Sequence, residues 1–256
     1  MGRSNKPSVF VGETYSTNHC GDVEILAYNN ALDVTVKFLN TGWVKSVNVS
    51  NMKRGRVEDV YAPLVKGVGF LGEGAYKPKV DGRMTKCHSV WFQILRRCYD
   101  VGCKGSEPYE GRGVTVCKEW HNYQNFAAWY YQNYKEGMQI DKDIVNQGAK
   151  EYNPENCRFI PLRVNTMLTT RRSKRGFYPI GVQKTASGKY TANMSNGKSK
   201  GHLHLGTHNT MHQAFCAYKE AKESLIKSVA EEYYSGGLIS KDVYDGLISW
   251  EVTPYP

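Results

Sequence analysis

Residues 138–168 read MQIDKDIVNQGAKEYNPENCRFIPLRVNTML, and this stretch decides the fold of the central part of the chain. Met138–Ile140 is strand-like, a polar loop follows, and the apolar piece Cys157–Ile160 predicts a returning strand. Pro161 stands where a helix begins, because proline is tolerated in the first helical turn. The stretch therefore predicts strand, loop, strand and helix, which brings an acid on the first strand near a side chain on the helix.

The end of the first predicted strand carries the chemistry. Asp141 and Asp143 flank Lys142 there, so two acids surround one base. A divalent cation prefers oxygen ligands and leaves positions open for phosphate and water. The pattern indicates a one-metal site suited to phosphodiester chemistry.

This stretch resembles the ββα-metal core of HNH nucleases, in the variant common among phage-encoded, homing-type endonucleases. The resemblance places Asp141 at the strand ligand and Asn165 at the helical ligand of one Mg²⁺ or Mn²⁺, and Asn156 at the middle Asn, which braces the loop or orients the reactive group. Lys142 stands where the family has its general-base His. Because a protonated lysine cannot accept a proton from water, we expect Lys142 to contact phosphate or stabilise charge. Asp143 is then the candidate to orient the attacking water.

Composition favours an anionic partner. The chain of 256 residues has a formal net charge of +10, with 18 Tyr and 5 Trp. Excess cations beside many aromatic rings fit nucleic acid best. No apolar run approaches the roughly 20 residues of a membrane span. Seven cysteines without tight pairing indicate a reduced, cytosolic-type protein, and the resemblance implies a phage-encoded protein acting in the bacterial cytoplasm.

The first 82 residues are β-rich. Val23–Ala27, Asp33–Phe38 and Trp43–Val47 are strand-like, and the second of these alternates apolar and polar residues. We expect a small barrel-like or meander module that adds DNA contacts.

Residues 83–172 form the predicted nuclease-like core. One helix carries Trp91, Ile94, Leu95 and Cys98 on a single face, and an aromatic helix follows between residues 126 and 134. Arg112 lies between two glycines and is a candidate phosphate contact. The cysteines also permit a structural Zn²⁺ site, although no CxxC pair exists; its first candidate ligands are Cys98, Cys117 and Cys157.

A second DNA-directed module is predicted over residues 173–232. Two strands are predicted near residues 190–194 and 202–205, and a helix follows them. Thr210 and Gln213 have the spacing of a capping box, which predicts that the helix begins there. The stretch is similar to the AP2 DNA-binding domain, in which a three-stranded sheet enters the major groove with a helix behind it. The resemblance assigns the DNA-facing positions to Gln183, Lys189, Thr191, Asn193, His202 and His204. The preceding cationic linker is predicted to clamp the DNA backbone through Arg171, Arg172, Lys174 and Arg175.

Together these patterns predict an α+β multidomain chain: a β-rich module, a ββα-metal core, an AP2-like sheet with its helix, and a docking helix and tail over residues 233–256. We expect a metal-dependent DNA endonuclease or nickase that binds double-stranded DNA as a monomer or a homodimer. The alternative is a non-catalytic DNA-binding or regulatory protein with a degenerate nuclease core, which Lys142 motivates. An RNA-directed protein is a third reading.

Overall fold

In a computed structural model, which describes residues 8–100, 113–168, 177–195 and 201–255, the chain is a mixed α and β protein with several small sheets. This confirms the α+β class. The chain divides into two compact units, Met1–Gln132 and Asn133–Pro256. The finer domain boundaries expected near residues 82, 172 and 232 stay predictions.

The first unit opens with a four-stranded antiparallel meander. Its strands are β1 (Thr14–Ser16), β2 (Asp22–Asn30), β3 (Asp33–Phe38) and β4 (Val44–Val47), in that spatial order. The predicted alternation in β3 is confirmed, because Val34, Val36 and Phe38 are 0% exposed, and Val23 and Ile25 of β2 are buried as well. Helix α1 (Val49–Lys53) follows, and the Asn48 side chain caps it.

The rest of the first unit is mainly helical and aromatic. A hairpin of β5 (Lys79–Val80) and β6 (Arg83–Met84) leads into α2 (Lys86–Tyr99), and β7 (Thr115–Val116) and a 3₁₀ turn (Lys118–His121) lead into α3 (Tyr123–Asn133). The predicted apolar face of α2 is confirmed, since Trp91, Ile94 and Leu95 are 0% exposed. The Trp91 indole Nε1 donates to the carbonyl of Trp120 at 2.7 Å, which satisfies its polar atom inside the core.

The second unit contains the ββα part of the predicted core and the predicted AP2-like module. The ββα element consists of β8 (Met138–Asp141), β10 (Arg158–Pro161) and α4 (Leu162–Leu168), with the short β9 (Glu151–Tyr152) in the intervening loop. The two long strands pair antiparallel, and α4 begins directly after Pro161. The predicted order of strand, loop, strand and helix is confirmed.

A three-stranded antiparallel sheet and two helices complete the second unit. The sheet has the order β11 (Val182–Lys184), β12 (Tyr190–Ser195), β13 (His202–His208), and the helices are α5 (Met211–Ser235) and α6 (Lys241–Ile248). The predicted capping box is confirmed: Thr210 Oγ1 accepts from the backbone N–H of Gln213, and Gln213 Oε1 accepts from that of Thr210, both at 3.2 Å.

The ββα element and the sheet share one hydrophobic core. The same buried cluster contains Ile160 and Val164 of the ββα element, Ala192 of the sheet, Tyr218 of α5 and Leu247 of α6. Separate predicted modules would each bury their own apolar face. The second unit therefore folds as one body in which the C-terminal helix completes the core.

A glycine pair tests the close packing of α5 on the sheet. Gly181 and Gly188 both have positive φ, but a Cβ on Gly181 would lie 2.0 Å from the Tyr218 ring, whereas one on Gly188 would meet nothing within 4 Å. Both alanine substitutions cost about 1 kcal/mol for the left-handed backbone. We expect Gly181→Ala to cost roughly 1–3 kcal/mol more through overpacking. Equal urea midpoints for the two variants, followed by circular dichroism, would contradict this packing.

Candidate functional site

A hydrogen bond connects Asn165 to β8, the strand that ends at Asp141. Asn165 on α4 donates from Nδ2 to Gln139 Oε1 at 2.6 Å, so it lies over the face of β8 that carries Gln139. Side chains two residues apart on a strand share a face, which places Asp141 on that same face, about 7 Å along the strand. The cation that Asp141 and Asn165 would hold stays a prediction.

Asp141 also shapes the turn that follows β8. Its Oδ1 accepts from the backbone N–H groups of Asp143 and Ile144, each at 2.8 Å. Burial raises the pKa of the Asp141 carboxyl, and the neighbouring Asp143 adds to the rise, while the two backbone hydrogen bonds and Lys142 oppose it. The carboxylate is thus costly to ionise in place, and a bound cation would offset that cost.

Lys142 points into the loop. Its side chain is buried, with the residue 6% exposed, and Nζ donates to Asp143 Oδ1 at 2.7 Å and to the carbonyl of Ala149 at 2.6 Å. A continuing strand would separate residues 142 and 143 onto opposite faces, but β8 ends at Asp141 and the turn lets the two side chains meet. These bonds give Lys142 a loop-bracing role, and its expected phosphate contact stays a prediction.

The same ion pair engages Asp143. One of its carboxylate oxygens accepts from the Lys142 ammonium, and about a third of its side chain is exposed. The expected role of Asp143 in orienting water stays a prediction. The ion pair with Lys142 already occupies one of its two carboxylate oxygens.

Asn156 makes the loop-bracing contacts expected of it. Its backbone N–H donates to Asn153 Oδ1 at 2.8 Å and its Nδ2 donates to the carbonyl of Glu151 at 3.1 Å. Its Oδ1 accepts from Asn146 Nδ2 at 3.4 Å, a long bond to the opposite side of the loop. Asn156 therefore ties β9, the approach to β10 and the loop after Asp141 together.

The C-terminal segment holds this loop from outside. A Cβ on Gly246 of α6 would lie 1.9 Å from the carbonyl oxygen of Ile144, so only glycine permits this approach. Gln147 Nε2 donates to the carbonyl of Glu251 at 2.8 Å, and the Glu251 N–H donates back to Gln147 Oε1 at 3.1 Å. The sequence signal for this contact is a glycine inside a helix, where it costs about 1 kcal/mol relative to alanine and indicates a close backbone approach.

An ion pair joins the same helix to β10. Arg158 Nε binds Asp242 Oδ2, and Arg158 Nη1 donates to three loop carbonyls, those of Pro154, Glu155 and Cys157. In the β8–β10 ladder Arg158 is the direct partner of Asp141, so the two residues share one face. Sequence reasoning missed Arg158 because its partner lies 84 residues away.

The sheet presents the predicted polar face. Ala192 and Met194 of β12 are 0% and 6% exposed and face the core. Asn193 lies opposite His204, and its Oδ1 is 3.2 Å from His204 Nδ1. Ser195 lies opposite His202 in the same ladder. The predicted alternation of β12 is confirmed, and DNA contact by this face stays a prediction.

Two details of the sheet differ from a regular alternation. The register shifts between Thr191 and Asn193, where the Asn193 N–H donates to the carbonyl of Gly181 at 2.8 Å. Leu203 lies opposite Met194 as predicted but is 49% exposed, since it stands near the start of β13, at the end of the sheet. Gln183 and Lys189 are exposed and Thr191 is half-buried.

The predicted zinc ligands do not form a cluster of three within the part of the chain that the structure describes. Nor do any other three His, Cys, Asp or Glu side chains there. Cys98 and Cys117 belong to the first unit and Cys157, which is 0% exposed, to the second. Structural zinc stays a prediction. The predicted Asp141–Asn165 pair would be a different kind of site, with one carboxylate and one amide.

Several predicted DNA contacts lie outside the described residues: Arg112, Arg171, Arg172, Lys174 and Arg175.

Over the described ranges, no helix combines the length and apolarity needed to cross a membrane. Comparison of the chain with protein-family models, curated proteins and solved structures found no match.

Two substitutions, Asp141→Asn and Asp141→Ala, distinguish the role of Asp141 as a hydrogen-bond acceptor in the turn from the effect of its buried charge on stability. With its pKa raised, folded Asp141 binds its proton more tightly than the unfolded chain does, so its contribution to stability is full below the unfolded pKa and is lost as pH rises through the folded pKa. Without divalent cations at pH 7, we therefore expect Asp141→Asn to be at least as stable as the parent. Alanine removes the acceptor of two N–H groups and should cost about 1–2 kcal/mol relative to Asn.

The measurement is chemical unfolding in chelator at pH 7 and near pH 4. The advantage of Asp141→Asn should shrink toward the lower pH, where the parent carboxyl is protonated. An Asn variant as destabilised at pH 7 as the Ala variant would contradict the buried-charge account.

Gly246→Ala tests whether α6 sets the loop position. The added methyl group would overlap the Ile144 carbonyl, so we expect a loss of about 3 kcal/mol or more in unfolding free energy. Gly236→Ala is the matched control, because its Cβ would come no closer than 3.3 Å to another atom and its φ of −78° suits alanine. Similar unfolding midpoints for both variants would show that α6 does not press on the loop.

Proposed function

We propose that the chain is a metal-dependent DNA endonuclease or nickase. Asp141 and Asn165 would hold one Mg²⁺ or Mn²⁺, and the polar face of the three-stranded sheet would bind duplex DNA in the major groove. The observation that carries the proposal is the Asn165–Gln139 hydrogen bond, since it sets the helical amide over the face of β8 that carries Asp141. The net charge of +10 supports an anionic partner.

The donor set fits a divalent cation of the hard type. It combines a buried carboxylate with a neutral amide oxygen, and such ions take oxygen ligands and keep other positions for water and phosphate. A divalent ion bound there stabilises charge on the scissile phosphate and on the leaving oxygen.

The chain's own residues hold this site in shape. Asp141 would supply a carboxylate whose second role is to fix the turn, and Asn156 braces the loop. Lys142 closes the loop interior, so it does not stand ready as a base. General-base catalysis typically contributes about 10²–10⁴ in rate, so we expect slow turnover unless another group accepts the proton.

A second candidate is a DNA-binding protein that does not cut. The same observation on Lys142 favours this candidate. Lys142 stands where the HNH family has its general-base His, and its ammonium donates to Asp143 and to the Ala149 carbonyl. Such a protein would retain the ββα element as a structural support for the sheet, with which it shares a core.

A plasmid assay separates the two candidates. Supercoiled plasmid carrying genomic fragments is incubated with Mg²⁺ or Mn²⁺ and the full chain, beside Asp141→Asn, which keeps the turn but loses the charge. We expect cation-dependent nicking that falls at least about 100-fold in the variant, with duplex binding retained. Tight binding without nicking by the parent chain would instead establish the non-catalytic candidate.

A further inference from the structure

The β5–β6 hairpin of the first unit has no role in the site described above. Lys79 lies opposite Met84 and Val80 opposite Arg83, so the turn consists of Asp81 and Gly82 alone. Both turn residues have positive φ, 48° for Asp81 and 74° for Gly82. That combination is the type I′ turn, which matches the twist of a two-residue hairpin. The sequence thus specifies this short hairpin locally, through an Asp-Gly pair.

Buried groups anchor the base of the hairpin. The Thr85 N–H donates to the carbonyl of Pro78 at 2.9 Å, and Thr85 Oγ1 accepts from the N–H of His88 at 3.1 Å, capping α2. The hydroxyl of Tyr123, which is 0% exposed, donates to the carbonyl of Lys77 at 3.4 Å. At about 3.3 Å per residue, three residues carry the tip roughly 10 Å beyond the Pro78–Thr85 bond. The base is held by the fold and the tip projects from it.

Both faces of the hairpin are exposed, and each pairs one cation with one apolar side chain. Directly opposed residues share a face, so Lys79 lies with Met84 and Arg83 with Val80. Val80 is 53% exposed and Met84 46% exposed. Within the described ranges, no salt bridge involves Lys79 or Arg83. A hairpin that packed on its own unit would bury one face, and this one leaves both available.

We propose that the hairpin Lys79–Met84 inserts into the major groove of duplex DNA, with Lys79 and Arg83 on phosphates and with Val80 and Met84 against base edges. This inference rests on the DNA partner of the proposed function and not on cutting. The major groove of B-form DNA, about 12 Å wide and 8.5 Å deep, admits a two-stranded ribbon of this reach. A-form RNA has a narrow, deep major groove that side chains do not enter, which makes DNA the favoured duplex.

The charge pattern of the hairpin supports a groove and not a flat contact. Its cations, Lys79 and Arg83, lie in the two strands, whereas Asp81 lies in the turn at the tip. A carboxylate at the tip would be repelled by the phosphate backbone, but on the groove floor it meets the amino donors of bases. Apolar side chains beside it would contact thymine methyl groups there.

The first test removes the two cations. Duplex binding by the full-length Lys79→Ala, Arg83→Ala double variant is measured against salt concentration, with Lys37→Ala, Lys118→Ala as a control that removes equal charge from exposed positions of the same unit. Each lost phosphate contact changes the log–log salt slope by about 0.9, so the hairpin variant should lose about 1.8 in slope and at least tenfold in affinity near 0.1 M salt. The control should lose far less. Equal losses in both double variants would overturn the proposal.

The second test keeps the charges and removes the apolar side chains. We expect Val80→Ser, Met84→Ser to weaken duplex DNA binding roughly tenfold with the salt slope unchanged, since it removes groove contacts and not phosphate contacts. Affinity equal to that of the parent would show that the hairpin lies along the backbone and would overturn insertion. An equal loss on duplex RNA of the same sequence would overturn the choice of DNA.

These results are independent of the nicking assay. A parent chain that binds duplex DNA through the hairpin but does not nick leaves this inference standing and removes the catalytic proposal. A parent chain that nicks while both hairpin variants bind as it does removes this inference alone. Circular dichroism of each variant checks that these exposed substitutions leave the fold intact.

Discussion

The turn after β8 depends on one carboxylate that serves two purposes. Asp141 Oδ1 accepts two backbone N–H groups, and this pair of bonds reverses the chain immediately after the strand. A residue that satisfies buried backbone donors cannot rotate away, so its remaining oxygen has a defined direction. The same burial raises the carboxyl pKa and makes the free carboxylate costly. The shape of the turn and the raised pKa of the carboxyl therefore depend on a single side chain.

That turn is reinforced from both sides of the loop. Inside, the buried Lys142 ammonium donates to Asp143 and to the Ala149 carbonyl, and these two bonds close the loop. Outside, Gly246 and Glu251 of the C-terminal segment press on Ile144 and Gln147. Breaking the inner contact leaves the buried Lys142 ammonium unsatisfied, which costs more than the bond itself contributes. The tail that sequence reasoning assigned only to docking thus belongs to the structure of the candidate site.

Local sequence patterns predicted the helices and strands, but they did not predict the contacts between segments that are far apart in the sequence. The alternation in β3, the apolar face of α2 and the Thr210–Gln213 cap are each encoded within a few residues, and each was predictable. The strand, loop, strand and helix around Asp141 was also predictable, because Pro161 marks the helix start. The buried state of Lys142 was not, since it depends on a contact across the loop to the Ala149 carbonyl. Neither the Arg158–Asp242 pair nor the shared core of the second unit has a local signal. Edge strand β1 is only three residues long and gives no periodicity.

The two candidate DNA-contacting surfaces differ in chemistry in a way that suggests a division of labour. The open face of the sheet is mostly neutral: Gln183, Thr191, Asn193 and two histidines stand there with Lys189, so its hydrogen-bonding groups suit base edges more than phosphates. The hairpin in the other unit carries a cation on each face and apolar groups beside them. Phosphate contacts supply affinity and register without sequence information, whereas base-edge contacts discriminate. If both proposals hold, the net charge of +10 would act through elements other than the sheet, and the hairpin, with Lys79 and Arg83 exposed, is one described element that could supply phosphate contacts.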